Sequence, residues 1–373
     1  MYAQQSIQDS LFLMFYGAIA ILALVSGLFL WLRRSNVFAP DINPPIALRR
    51  WTAAFFIMAS LSHVWWYVLG VYWLTDDRLV RNITAVTLDH VLLVPLVMAI
   101  LLRMLQNRHR PLWPWFLSQL PIIVSAVIGI MRHDGFYGFD LTTYWQLAVM
   151  VIFTLYYIHE LIHYGRWLRD NYADLEHKEV WQSLLFVTIL FFVYEVYFTN
   201  PGEMFREYLA QFETLAIIGF LLWRVETLQT LSDKQSDIKQ VEEPAPLALP
   251  TSINIQKELQ THCEDKRLYL QHDLTLQQLA AAIGTNRTYL SNYFAQQGIT
   301  YNAYINRLRI DHFMHLYRDA AADSRPVTAM KLSQQSGFSN YNTFAAAFKR
   351  FVGTTVTEWV QQEDAKEKII EKT

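Results

Sequence analysis

The chain has 373 residues, 53% of them hydrophobic and 17% charged, with a formal net charge of −2 and a mean hydropathy of +0.14. That balance is too apolar for a soluble two-domain protein, and it makes no general polycation of the chain. A single cysteine, Cys263, excludes a disulfide framework.

The apolar excess lies in the first 230 residues. Seven segments there are each long enough to cross a bilayer at about 1.5 Å of rise per residue. They run from Leu11 to Leu32, Trp51 to Leu74, Thr84 to Leu105, Leu112 to Met131, Leu141 to Tyr164, Trp181 to Asn200 and Arg206 to Leu228. The first is too long for a removable signal peptide, no basic residue precedes it, and Arg33-Arg34 follows it as a stop. The sequence therefore predicts an all-α protein with a polytopic seven-transmembrane-helix bundle at 1–230. Basic residues gather after segments one, three and five, among them Arg33, Arg34, Arg49, Arg50, Arg103, Arg108, Arg110, Arg166, Arg169 and Lys178. The opposite side holds Arg78, Arg81, Arg132 and Arg206. This asymmetry predicts an N-terminus outside and a C-terminus in the cytoplasm.

Ionisable groups at membrane depth are costly, so each is a candidate site with a satisfied structural network as its alternative. His63, Asp89, His90 and Glu195 fall in the outer half and form an expected sensing layer for a small molecule or a proton. Pro95, a turn and a half below Asp89, suits a kink there. His159, Glu160 and His163 spell H-E-x-x-H near the inner boundary, the spacing that puts two imidazoles and a carboxylate on one helix for zinc chemistry. The pattern is short and no third ligand of matching depth is evident, so metal ligation and ordinary packing both stay open. A retinal Schiff base is excluded, because the first lysine anywhere is Lys178, in a loop.

Residues 231–254 carry Pro244, Pro246 and Pro250 among acidic and serine residues and read as a semi-extended linker. Such a linker transmits a rigid rotation poorly, so control by dimer distance or by masking of the C-terminal domain is expected. Leu221, Val225, Leu228 and Leu231 form a short apolar seam suited to a homodimer contact.

From Leu274 to Val360 one unit is written twice. Leu274, Leu279, Ala280 and Gly284 recur as Val327, Leu332, Ser333 and Gly337, and Leu290 and Phe294 recur as Phe344 and Phe348 after one added residue. Leu276, Leu279, Ala280 and Ile283 fall on one face of a short helix. Gly284 can end that helix in the left-handed region, and Thr285 or Asn286 can cap the next one. Arg287, Thr288, Ser291 and Asn292 then face outward. A longer helix from Ala303 to Arg318, with Ile305, Leu308 and Leu316 inward, fixes the spacing of the two units.

The runs NRTYLSNYF, YINRLRI and SGFSNYNTFAAAFKRFVG, in this order and spacing, resemble the tandem helix-turn-helix DNA-binding domain of AraC/XylS-type transcription regulators, over roughly Ile255 to Gln362. The resemblance implies an AraC-like domain at 255–362, followed by a charged tail at 363–373. It further implies that double-stranded DNA is the partner, met by Asn286, Arg287, Thr288, Ser291 and Asn292 in one unit and by Ser339, Asn340, Tyr341 and Asn342 in the other. Ala345 and Ala346 stand where a base-reading side chain is expected, and Thr355-Val356 replaces the usual Thr-Pro. Weaker reading by the second unit follows, with Lys349 and Arg350 serving phosphates.

The expected whole is a membrane-bound one-component transcription regulator with the lipid bilayer and DNA as partners, no cofactor and no catalytic residues. Two alternatives remain: an integral-membrane zinc hydrolase with a DNA-binding tail, and a simple membrane-tethered DNA-binding protein.

Overall fold

The structure is a computed structural model that describes residues 7–33, 36, 42–70, 75–189, 203–231, 254–323 and 327–370. Among them the regular structure is helical throughout, apart from one isolated antiparallel bridge, Tyr172 to Thr275. The chain forms two compact units. One comprises Met1–Tyr164 with His177–Ser232, the other Gly165–Glu176 with Asp233–Thr373.

In the first unit the helices are α1 (Ile7–Leu32), α2 (Ile46–Gly70), α3 (Arg78–Met104), α4 (Trp113–Leu117), α5 (Leu120–Arg132), α6 (Leu141–Asn171), whose residues from Gly165 on belong to the second unit, and α7 (Glu203–Thr227). Among the described residues five stretches are long and apolar enough to cross a membrane: Ser10–Leu32, Arg78–Met104, Trp113–Arg132, Phe136–Asn171 and Glu207–Thr227. The seven expected spans are thus not all seen. Helix α2 has 25 residues, but Arg49, Arg50, Ser60, Ser62, His63 and Tyr67 hold its mean hydropathy down. The expected sixth span begins as a helix at 183–189, and its remainder, Glu195 included, lies outside the described residues.

Helix α1 packs on α2, α2 on α3, α3 on α5, and α1 and α2 on α7. The inward side of α1 is closed by Ile19, Ala23 and Leu30. Its other side leaves Met14 72% and Leu32 74% exposed, with Ile21 and Val25 between them. An apolar face of that extent needs an apolar surrounding. Helix α3 runs on through Pro95 without a break. Leu221, Val225 and Leu228 are buried within this unit, so the apolar seam expected to support a dimer is already covered.

The second unit holds α8 (Ile255–Leu259), α9 (Leu276–Ala282), α10 (Arg287–Gln296), α11 (Tyr301–Ala322), α12 (Ala329–Gln335), α13 (Tyr341–Val352) and α14 (Val356–Ile370). It has two cores, one per repeat. Leu279, Leu290, Phe294 and Ile305 lie in the first, and Phe313, Leu332, Phe344, Phe348 and Trp359 in the second. Helix α11 feeds both, with Ile305 in the first core and Ile310 and Phe313 in the second, which is how one long helix sets the spacing of the repeats. Cys263 is fully buried in the first core, and burial pushes its thiol up to about 12. It stays protonated at neutral pH and acts as a small apolar side chain.

At the end of the unit Thr355 and Glu358 make a reciprocal cap. Thr355 N–H donates to the Glu358 carboxylate at 2.9 Å and Glu358 N–H to Thr355 Oγ1 at 3.3 Å. This cap starts α14 without the proline of the usual Thr-Pro. The expected charged tail continues α14, where Tyr317 donates to Asp364 at 2.6 Å and Arg318 pairs with Glu363 at 2.9 Å.

Candidate nucleic-acid interface

The two repeats build the same device from the same caps. Thr275 Oγ1 accepts the Gln278 N–H at 3.2 Å and the Thr275 N–H donates to the Gln278 side-chain Oε1 at 2.8 Å, a capping box that starts α9. Thr328 accepts the Lys331 N–H and starts α12. Of the two residues proposed to cap α10, Asn286 is the one that does so, accepting the Tyr289 N–H at 2.9 Å. Asn340 starts α13 by accepting the Asn342 N–H at 2.6 Å. Each such cap contributes about 1 kcal/mol. Between the helices of each pair stands a glycine in the left-handed region, Gly284 at φ +71° and Gly337 at φ +94°.

The predicted DNA-facing residues sort by helix. On α10, Thr288 and Asn292 are exposed and Arg287 and Ser291 half-buried, while Leu290 and Phe294 close the core below them. On α13, Asn342, Lys349 and Arg350 are exposed. Tyr341 packs against the second core, as does Ala345, which leaves Ala346 as the exposed small residue of the pair. The outer surface of α13 therefore offers amide and basic groups at its two ends and a smooth middle. Helix N-termini of this kind present backbone N–H groups and polar side chains to base edges and phosphates.

Arg309, which the sequence did not single out, holds the repeats together. It is 1% exposed, donates from Nε to the Tyr269 carbonyl and from Nη2 to the Gln271 carbonyl, each at 2.8 Å, and lies over the Phe338 ring. Beside it the backbone of Gly337 comes so close to Leu270 that a Cβ would lie 2.9 Å from the Leu270 Cα. The loop before the first repeat and the turn of the second are thus in direct contact, and the relative placing of α10 and α13 is set by packing rather than by a linker.

In the first unit the expected sensing layer is a bonded network. Asp89 accepts from the Ser62 hydroxyl and from the Trp66 indole N–H, both at 2.6 Å. His63 Nδ1 donates to the Ala59 carbonyl at 2.8 Å, and Nε2 meets the Gln211 side-chain amide at 3.0 Å. Both ring nitrogens thus face oxygens, the Ala59 carbonyl at Nδ1 and Gln211 Oε1 at Nε2. Tyr16 donates to the His63 carbonyl at 2.6 Å, bringing in α1. His90 bonds back to the Val86 backbone of its own helix. The sequence missed Gln211 and Glu213 of α7. Glu213 is buried, and its Oε1 has no hydrogen-bond partner.

The H-E-x-x-H stretch is split by its own helix. His159 and His163 are exposed, with ring centroids 4.4 Å apart. Glu160 is buried and turns the other way, onto Arg110 Nε at 2.7 Å and onto Arg108. Among the described residues no group of three His, Cys, Asp or Glu side chains is placed to hold a metal ion. With its carboxylate engaged by two guanidinium groups, the stretch lacks the free base that zinc hydrolysis needs.

Residues 279–362 match the family described as "Helix-turn-helix domain", the region that holds the two capped helix pairs. Curated relatives match over short stretches of the chain. An uncharacterized HTH-type transcriptional regulator of Staphylococcus aureus (strain MRSA252) is 30% identical over 98 residues, 26% of this chain and 12% of that protein. The HTH-type transcriptional activator RhaR of Salmonella heidelberg (strain SL476) and that of Salmonella typhi are each 31% identical over 75 residues, 20% of this chain and 25% of theirs. The chain thus spans a quarter or less of the length of these relatives. No solved structure matches it significantly.

Proposed function

We propose that the chain is a bacterial inner-membrane one-component transcription regulator, in which the second unit binds promoter DNA in the cytoplasm under control of the first. The observation that supports it best is the duplicated pair of helices with equivalent caps. It presents Arg287, Thr288, Ser291 and Asn292 on one reading helix and Asn342, Lys349 and Arg350 on the other. The long apolar helices with outward apolar faces support an anchor in lipid. The basic inner loops of the sequence support an outside N-terminus.

Input is assigned to the network of Tyr16, Ser62, His63, Trp66, Asp89 and Gln211, which joins α1, α2, α3 and α7, together with Glu213 of α7, whose buried Oε1 has no hydrogen-bond partner among the described residues. A proton or a small polar effector that breaks one of these bonds repacks four helices at once.

The test is genome-wide DNA occupancy of the full-length protein in its host, beside a variant carrying Asp89→Asn and Glu213→Gln. Discrete promoter sites, with altered transcription in the variant at unchanged protein level, support the reading. Absence of discrete sites removes the DNA-binding half of it. Unaltered transcription reduces the first unit to a tether.

A further inference from the structure

One segment of the second unit is remote in sequence from the rest of it. Gly165–Glu176 includes the last two turns or so of α6 and the loop that follows, yet it is built into the helix-turn-helix unit. Ala173 is 1% exposed in the first core. Its N–H donates to the Leu274 carbonyl at 3.2 Å, and Asn302 Nδ2 donates to the Ala173 carbonyl at 2.6 Å and to that of Tyr172 at 3.3 Å. Tyr172 also forms the antiparallel bridge to Thr275, the residue that caps α9.

What this anchored segment presents to the reading helices is acid. Ser339, in the turn before α13, donates to the Asp174 carboxylate. Asn340, the cap of α13, donates from Nδ2 to the Glu176 carboxylate at 2.7 Å. Asp174 also accepts the Glu176 N–H at 3.0 Å, which fixes the two carboxylates side by side. At the other repeat, Asp170 and Ser291 of α10 line the same shallow hollow of about 60 Å³. Three carboxylates spaced along seven residues therefore face both reading helices. Asp174 and Glu176 occupy the Ser339 and Asn340 donors at the N-terminus of α13, where a duplex would place a phosphate.

We infer that the segment Asp170–Glu176 is an internal stand-in for DNA, an autoinhibitory strap that holds the reading face closed until it is withdrawn. The inference rests on the DNA-binding reading above. A phosphate cannot share the Ser339 and Asn340 donors with two carboxylates, and like charges at that distance repel. The strap is continuous in sequence with the first unit on both sides, Tyr164 before it and His177 after it. Helix α6 has 31 residues, about 46 Å at 1.5 Å per residue, against a hydrocarbon core of about 30 Å. Its last turns have the length to reach beyond a bilayer. A change in the spans has this direct route to the DNA-reading face, one that does not pass through the proline-rich linker. Apparent affinity scales with the open fraction, so a strap closed nine-tenths of the time lowers DNA affinity about tenfold.

The experiment uses the full-length protein in lipid nanodiscs and sheared genomic DNA of its host, with recovered fragments sequenced and their affinities measured. Asp174→Ala/Glu176→Ala should bind every recovered fragment about tenfold more tightly than wild type. Asp265→Ala/Asp311→Ala, the same change in charge at two exposed sites of the unit, should change affinity less than about twofold. Tyr172→Cys/Thr275→Cys pins the strap across the bridge. Its oxidised form should lose at least about tenfold in affinity and regain it with dithiothreitol. The proposal is overturned if the acidic pair behaves like its charge control, if the oxidised form binds as the reduced one does, or if the bridge cysteines form no disulfide. In each of these cases DNA is still recovered by the wild-type or reduced protein. Recovery of no DNA by any form removes the DNA-binding reading and the strap with it.

Discussion

The guanidinium carbon of Arg309 lies 5.6 Å from the centroid of the Phe338 ring, a cation over an aromatic face at the junction of the two repeats. The same side chain donates to the Tyr269 and Gln271 carbonyls. Arg309→Met keeps the apolar stem but withdraws two charge-assisted donors from carbonyls in a buried setting. Removing the buried charge offsets part of that loss. The expected net cost is about 2 kcal/mol in the second unit, read by pulse proteolysis of the full-length protein in urea. A change under about 0.5 kcal/mol would contradict the role given to Arg309.

The glycines of the two turns separate conformation from space. Gly284→Ala puts a Cβ into open space at φ +71°, so it carries only the left-handed penalty of about 1–2 kcal/mol. Gly337→Ala carries the same penalty at φ +94° and also drives a Cβ to 2.9 Å from the Leu270 Cα and 3.1 Å from Arg309 Nε. It should cost at least about 1 kcal/mol more than Gly284→Ala, measured in the same proteolysis titration. Equal costs would mean that the repeats are not in contact there.

The repeat was legible because its signals are local. The offset of 53 residues up to the turn and 54 after it reappears as caps at Thr275 and Thr328, then at Asn286 and Asn340. Periodicity likewise placed Leu290, Phe294, Phe344 and Phe348 in the cores. Arg309 was not legible, since an arginine between two leucine-containing turns reads as a solvated face until the carbonyls it serves are known. Glu160 was misleading for a related reason: the spacing i, i+1, i+4 fixes the two histidines on one face but says nothing of Arg108 and Arg110, fifty residues earlier, which draw the carboxylate away. Nor could composition show that Tyr172–Glu176, between two apolar segments, pairs with residues more than 100 positions later.

That ion pair gives a contrast within α6. Arg110 and Glu160 are both nearly fully buried, so Arg110→Ala leaves Glu160 with only the exposed Arg108 and should destabilise the first unit by about 3 kcal/mol. His159→Ala and His163→Ala, on the exposed side, should each change stability by less than about 0.5 kcal/mol. Both should leave the zinc content of the purified protein as it was. Zinc lost on His159→Ala would revive a metal role for the stretch.

A pH response in the second unit comes from His312, whose ring meets Tyr269 edge to face at 6.0 Å between centroids. Burial lowers its pKa, and the nearby Arg267 and His315 lower it further. A depressed pKa means that the unfolded state takes up the proton first. The stability is therefore present above the unfolded value of about 6.5 and is lost as pH falls through the folded one. His312→Phe keeps the aromatic contact and removes the proton. Between pH 8 and pH 5.5 the wild type should lose more stability in the second unit than the variant does. Parallel pH profiles would show that this histidine is not the group responsible.

The reading face itself is tested by how binding fails rather than by whether it does. On the proposed function Arg287 and Asn292 meet base edges, so Arg287→Ala and Asn292→Ala should each cost about 1–3 kcal/mol on the best-bound sequences and relax preference at the positions they meet. Lys349→Ala, exposed at the far end of α13, should weaken binding to all sequences alike and reduce the slope of log affinity against log salt by about one. Ala346→Ser, in the smooth middle of α13, should change neither. Affinities over a set of duplexes at two salt concentrations separate the three patterns. A salt slope that falls for Asn292→Ala, or a base preference that shifts for Lys349→Ala, would mean that the outward faces of α10 and α13 have been assigned the wrong roles.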